Sequence, residues 1–154
     1  MEYILVKWLH IISSTILFGT GTGTAFFMFF TTLGRNLQAT ATVTRLVVRA
    51  DWLFTTPTVF IQPLTGFYLA HKAGYDLGSA WLGWSIALFI VAGACWLPVV
   101  WLQIRMRELA AQSVATDTPL PPLFWRYFWT WTALGVPAFL AIAVIFYLMV
   151  AKPV

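Results

Sequence analysis

The sequence predicts an all-α fold, an up-down-up-down bundle of four transmembrane helices forming one domain over residues 1–154. Three observations carry that prediction. First, 60% of the 154 residues are hydrophobic and only 9% charged, against roughly 25% charged in a soluble domain. Such a chain cannot cover a water-facing surface with polar groups, so its solvent is lipid. Second, the apolar residues gather into four runs, about 5–30, 52–70, 81–104 and 125–150, each near the roughly 20 helical residues that cross a hydrocarbon core. Third, backbone groups in lipid must be satisfied inside their own segment, which selects helices over open strands.

Helix one is too long for the apolar region of a signal peptide and has no convincing small-residue cleavage site, so it is expected to be retained. It contains Gly19-Thr20-Gly21-Thr22-Gly23-Thr24. Gly19 and Gly23 share a face and allow close backbone approach, either within the bundle or at the seam of a homodimer. A phosphate loop is excluded, because no preceding strand and no lysine-serine/threonine pair accompany these glycines. Residues 31–50 read as a polar segment rich in threonine and alanine, in which Arg45 and Arg49 share a face if helix two extends into water. Asp51 then marks the membrane edge as an interfacial anchor, within reach of a nearby arginine.

Helix two carries Pro57 and Pro63, each of which removes a backbone donor and bends a helix; Thr55 and Thr56 are placed to satisfy the freed carbonyls. Gln62 falls near mid-membrane, where an amide either bonds a neighbouring helix or lines a polar path. The loop over 71–80 is short and makes helices two and three antiparallel neighbours. Helix three contains Pro98 and ends near Arg105 and Arg107. Residues 108–123, with Pro119, Pro121 and Pro122, read as a rigid polar connector. Helix four opens on an aromatic belt of Trp125, Tyr127, Trp129 and Trp131, carries Pro137 and closes at Lys152.

Six arginines (35, 45, 49, 105, 107 and 126) flank the first and third loops, and Lys7, Lys72 and Lys152 lie towards the opposite face. The positive-inside rule then puts those two loops in the cytoplasm and both termini outside. The net charge of +4 is scattered over segment ends, a placement that fits membrane orientation and not nucleic acid.

The chemistry-bearing residues are few. Lys7 and His10 lie three apart on one face of helix one, where ionisable groups are costly and pair, face inward or mark a site. His10 and His71, both towards the outer face, are candidate ligands for haem b, bound through a neutral ring nitrogen. Lys7 would then contact a propionate, or simply snorkel to the interface. Cys95, Met28, Met106 and Met149 offer soft sulfur but no MxxM or CxxC spacing, so copper is poorly supported. The lone cysteine excludes a disulfide framework, and no Ser-His-Asp set supports hydrolysis. The competing function is a small transport or accessory subunit in which Gln62, Asp51 and Arg49 line a polar path.

The segments Leu5-Val6-Lys7-Trp8-Leu9-His10-Ile11, Leu17-Phe18-Gly19-Thr20-Gly21, Ala50-Asp51-Trp52-Leu53-Phe54-Thr55-Thr56-Pro57, Gln62-Pro63-Leu64-Thr65-Gly66 and Ala94-Cys95-Trp96-Leu97-Pro98-Val99-Val100-Trp101 resemble a bacterial family of small four-helix integral membrane proteins of unknown function. That resemblance implies the bacterial inner membrane, with periplasmic termini. More distantly, the Lys-x-x-His opening is similar to that of HemJ-type protoporphyrinogen oxidases and of CopD-like copper-resistance domains. The first of these implies haem b on His10. The stretch Trp81-Leu82-Gly83-Trp84-Ser85 departs from the HemJ type, which shows a lysine there.

Overall fold

The computed structural model describes residues 1–76 and 78–152. Its elements are α1 (Glu2–Leu33), α2 (Leu37–Ala50), a π-helical turn (Asp51–Thr55), α3 (Thr56–Lys72), α4 (Ala80–Thr116) and α5 (Pro122–Ala151). Because α2, the π turn and α3 follow one another without a break, the chain forms four antiparallel rods. Three helices, α1, α4 and α5, are each long and apolar enough to cross a membrane alone. The lipid-facing surface is apolar, with Leu64 72% exposed.

Two stretches expected outside the helices are helical. Most of 31–50 is α2, started by Asn36, whose side chain accepts the Ala39 N–H at 2.9 Å. This helix persists because Thr40, Thr44, Val47 and Val48 bury one face at helical spacing. Likewise α4 runs on through Glu108, with Met106, Ala110 and Ser113 buried along one stripe. It stops at Asp117, in the left-handed region at φ 51°, so the expected connector over 108–123 shrinks to 117–121.

The π turn sits just before Pro57. A proline ring collides with the carbonyl four residues back and offers no N–H. Here the turn is widened, and the Thr56 N–H bonds the Asp51 carbonyl five residues back. The hydroxyl that reaches back to the nearby backbone is that of Thr58, which bonds the Phe54 and Thr55 carbonyls, and not those of Thr55 or Thr56. Pro63, Pro98 and Pro137 lie inside α3, α4 and α5 without ending them.

Packing is uneven along the bundle. At the end bearing the arginines, Met28, Val47, Leu102, Met106, Phe124 and Phe128 form a closed core. Trp131, read as part of an interfacial belt, also turns into this core and is 6% exposed. Beyond it the rods separate into two pairs, α1 with α3 and α4 with α5. The two pairs meet at Phe18, whose ring centroid lies 5.2 Å from that of Phe139 and 5.3 Å from that of Phe146, and again at the far end, where Ala70 of α3 packs with Trp81 and Leu82 of α4. An open cleft is left between them.

Candidate functional site

Polar residues gather in two places. The first is the seam between α1 and α3. Thr65 Oγ1 lies 2.6 Å from the Ile61 carbonyl, to which it donates, and 2.7 Å from His10 Nδ1. With the single hydroxyl proton on the Ile61 carbonyl, His10 donates from Nδ1 and the lone pair of the neutral imidazole lies on Nε2; with that proton turned towards Nδ1, the ring takes the other tautomer. The ring packs directly on Gly66, where an added Cβ would meet His10 Cε1 at 3.4 Å, the edge of ordinary contact. One turn deeper, Gln62 Nε2 donates to the His10 carbonyl at 2.8 Å and to Ser13 Oγ. Ser13 in turn donates to the His10 carbonyl at 3.1 Å. Gln62 therefore ties α1 to α3.

The other residues singled out by sequence do not join this cluster. His71 is exposed in the last turn of α3. It stands six residues beyond Thr65, about 9 Å along the axis and rotated well away from it, so the two histidines do not face each other. Lys7 is exposed one turn from His10 on α1. Arg49 is exposed on α2, and the ion pairs among the described residues are Arg105–Glu108 and Arg107–Glu108. Asp51 is thus not paired with an arginine, nor is it an exposed anchor, being only 5% exposed. Gln62, Asp51 and Arg49 do not form one path. Gly19 and Gly23 have no atom near the position of an added Cβ, so they are not packed inside the bundle. Met28 and Met106 are core residues, and no group of three or more histidine, cysteine or acidic side chains able to hold a metal occurs among the described residues.

The second place is the cleft, a cavity of about 500 Å³ walled by α1, the π turn, α4 and α5. Its lining is apolar apart from a short polar strip. Asp51 Oδ1 accepts the Thr55 hydroxyl at 2.9 Å, while Oδ2 has no partner. The Gln103 side chain of α4 is within hydrogen-bonding reach of the same carboxyl and is 5% exposed; its Oε1 has no partner. Seven residues earlier on the same face of α4, the buried Trp96 N–H has no acceptor. Buried polar groups are nearly always satisfied; of six buried side-chain atoms without a partner among the described residues, three line this one cavity, and Thr32, Thr40 and Ser79 hold the others elsewhere. Gln103 reads in the sequence as a helix end. The signal that could have found it is its depth, since Asp51 opens helix two and Gln103 closes helix three on the same side of the membrane.

The chain matches the family described as "Predicted integral membrane protein (DUF2269)" over residues 4–153. No curated protein and no solved structure matches it.

Proposed function

Starting from a chain that belongs to the DUF2269 family of predicted integral membrane proteins, we propose that it binds haem b within the bilayer through His10 and serves a redox or porphyrin-related role. One observation carries this reading. The Thr65 hydroxyl lies 2.7 Å from His10 Nδ1, and in the tautomer in which Nδ1 donates, the Nε2 lone pair is left for a ligand. Ligating histidines are held in this way, with one ring nitrogen anchored to an acceptor so that the other is oriented and basic. The donor set fits one axial imidazole, because exposed His71 lies on a different face. Lys7, one turn towards the N-terminus, is positioned to meet a propionate by a charge-assisted hydrogen bond. Haem, when bound, supplies one-electron chemistry, while the chain holds and orients it and sets its electrostatic surroundings. The distribution of basic residues favours the arginine-bearing end of the bundle in the cytoplasm, and the bacterial inner membrane is what the family resemblance implies.

The test is a visible spectrum of the protein purified in detergent after haem supplementation, oxidised and then reduced with dithionite. The expected result is a Soret band with sharp reduced α and β bands, lost in His10→Ala and retained in His71→Ala. A featureless spectrum at full protein recovery overturns the reading. The second reading, a transport or accessory subunit, draws support from the unpartnered Asp51 and Gln103 oxygens in the cleft, and predicts that His10→Ala leaves transport nearly unchanged.

A further inference from the structure

The cleft is a separate place from the His10 seam, since neither His10 nor Thr65 lines it. Its chemistry is lopsided. At one end, the two unpartnered side-chain atoms are both acceptors, Asp51 Oδ2 and Gln103 Oε1. No lysine, arginine or histidine lines the cavity. A carboxyl oxygen and an amide oxygen left bare in an apolar chamber are costly. A proton on the Asp51 carboxyl shared with Gln103 Oε1 would relieve both without a ligand; a ligand that relieves both with the carboxyl ionised supplies N–H donors and a positive charge. The walls agree with this, because Phe89, Trp96 and Trp131 offer aromatic rings whose negative faces attract cations. Two turns along α4 from Gln103, about 10 Å, the Trp96 N–H is left for a weak acceptor such as a π face at the ligand's other end. The chamber is large enough for such a molecule, at about 500 Å³, and it opens between helices with lipid-exposed outer faces.

We propose that this cleft binds lipophilic organic cations, meaning protonated amines on an aromatic body about 10 Å long, with the ammonium on Asp51 and Gln103 and the apolar body against the aromatic wall. Entry is from the bilayer, where such amphiphiles concentrate. The site is independent of haem on His10.

The test uses the full chain in nanodiscs of neutral phosphatidylcholine, with radiolabelled phenylbutylamine and its neutral analogue phenylbutanol in equilibrium dialysis, and empty nanodiscs subtracted. The amine is expected to bind saturably and the alcohol far more weakly. Asp51→Asn should weaken the amine by about thirtyfold or more, the loss typical of removing one member of a buried charge pair. Should Asp51→Asn fail to assemble, Gly93→Leu provides a second route. Gly93 lines the cleft with no atom near an added Cβ, so leucine there should fill the chamber and abolish binding while leaving Asp51 in place. Equal binding of amine and alcohol, amine binding unchanged in both variants, or no saturable binding of either probe would overturn the proposal and leave the cleft as space for lipid acyl chains.

Discussion

The seam between α1 and α3 and the cleft beside it are built from the same kinds of residue. Each has an amide, a threonine and one ionisable side chain, buried at the junction of helices. They differ in how far the chain satisfies them. In the seam, Gln62, Ser13, Thr65 and His10 Nδ1 all have partners within the protein. In the cleft, Asp51 keeps one oxygen bare, and Gln103 and Trp96 each leave a polar atom unpaired. A buried polar atom without a partner costs about 1–3 kcal/mol. Polar residues in the seam hold helices together; those in the cleft are a standing cost that a ligand would offset. The π turn that presents Asp51 fits this division, since such turns frequently occur at functional sites.

The largest expected contrast comes from glycines. Gly66→Leu pushes a side chain into the His10 ring, which already lies 3.4 Å from an added Cβ, and overpacking of this kind costs about 1–3 kcal/mol. Gly93→Leu enters open space and should cost nothing measurable, or stabilise by filling the cleft. Unfolding of both variants by SDS titration in mixed micelles measures the difference. Equal losses would mean that the cleft closes in the membrane and that its volume is not available to a ligand.

Glutamines give the next contrast. Gln62→Leu removes bonds that join two helices and leaves Ser13 and the His10 carbonyl short of a donor, a loss of about 1–2 kcal/mol. Gln103→Leu removes an orphan oxygen together with the amide beside the Asp51 carboxyl, so gain and loss offset and the ligand-free protein should be about as stable as before. The same SDS titration reads both. A destabilised Gln103→Leu would show that its amide is satisfied in the bilayer, and the cleft would lose half of its polar end.

Hydropathy made the four rods legible, because a run of about 20 apolar residues in lipid has only one way to satisfy its backbone. It gave no account of where the rods end. Residues 37–50 and 108–116 are polar on the side that faces water, and only the buried stripe of Thr40, Thr44 and Val47, or of Met106, Ala110 and Ser113, betrays a helix there. His10 and Gln62 each stood out as polar residues in apolar surroundings. That Gln62 reaches the carbonyl of His10 depends on the register between two helices, which no local pattern encodes. The placement of Gln103 beside Asp51 is hidden for the same reason, and the π turn is hidden because proline alone predicts a bend without specifying its kind.

The smallest contrast tests the hydrogen bond on which the His10 argument depends. Thr65→Val keeps the shape of the side chain but takes away the oxygen that bonds His10 Nδ1 across the α1/α3 seam. Interhelical hydrogen bonds in membranes are worth about 0.6 kcal/mol on average, so the loss should be of that order. Thr55→Val removes a bond of similar length, 2.9 Å to Asp51 Oδ1, but one made within a single continuous rod. It joins no two helices, but its loss leaves the buried Asp51 carboxyl without its one hydroxyl donor, at about 1–3 kcal/mol, so Thr55→Val should cost more stability than Thr65→Val does. Thr65→Val should also free the imidazole to turn, broadening the reduced α band of the haem-supplemented protein, whereas Thr55→Val should leave that band unchanged. If both substitutions have the same effect on the spectrum, Thr65 does not orient His10. The free Nε2 would then lose its significance, and the cleft would remain as the better-supported binding site.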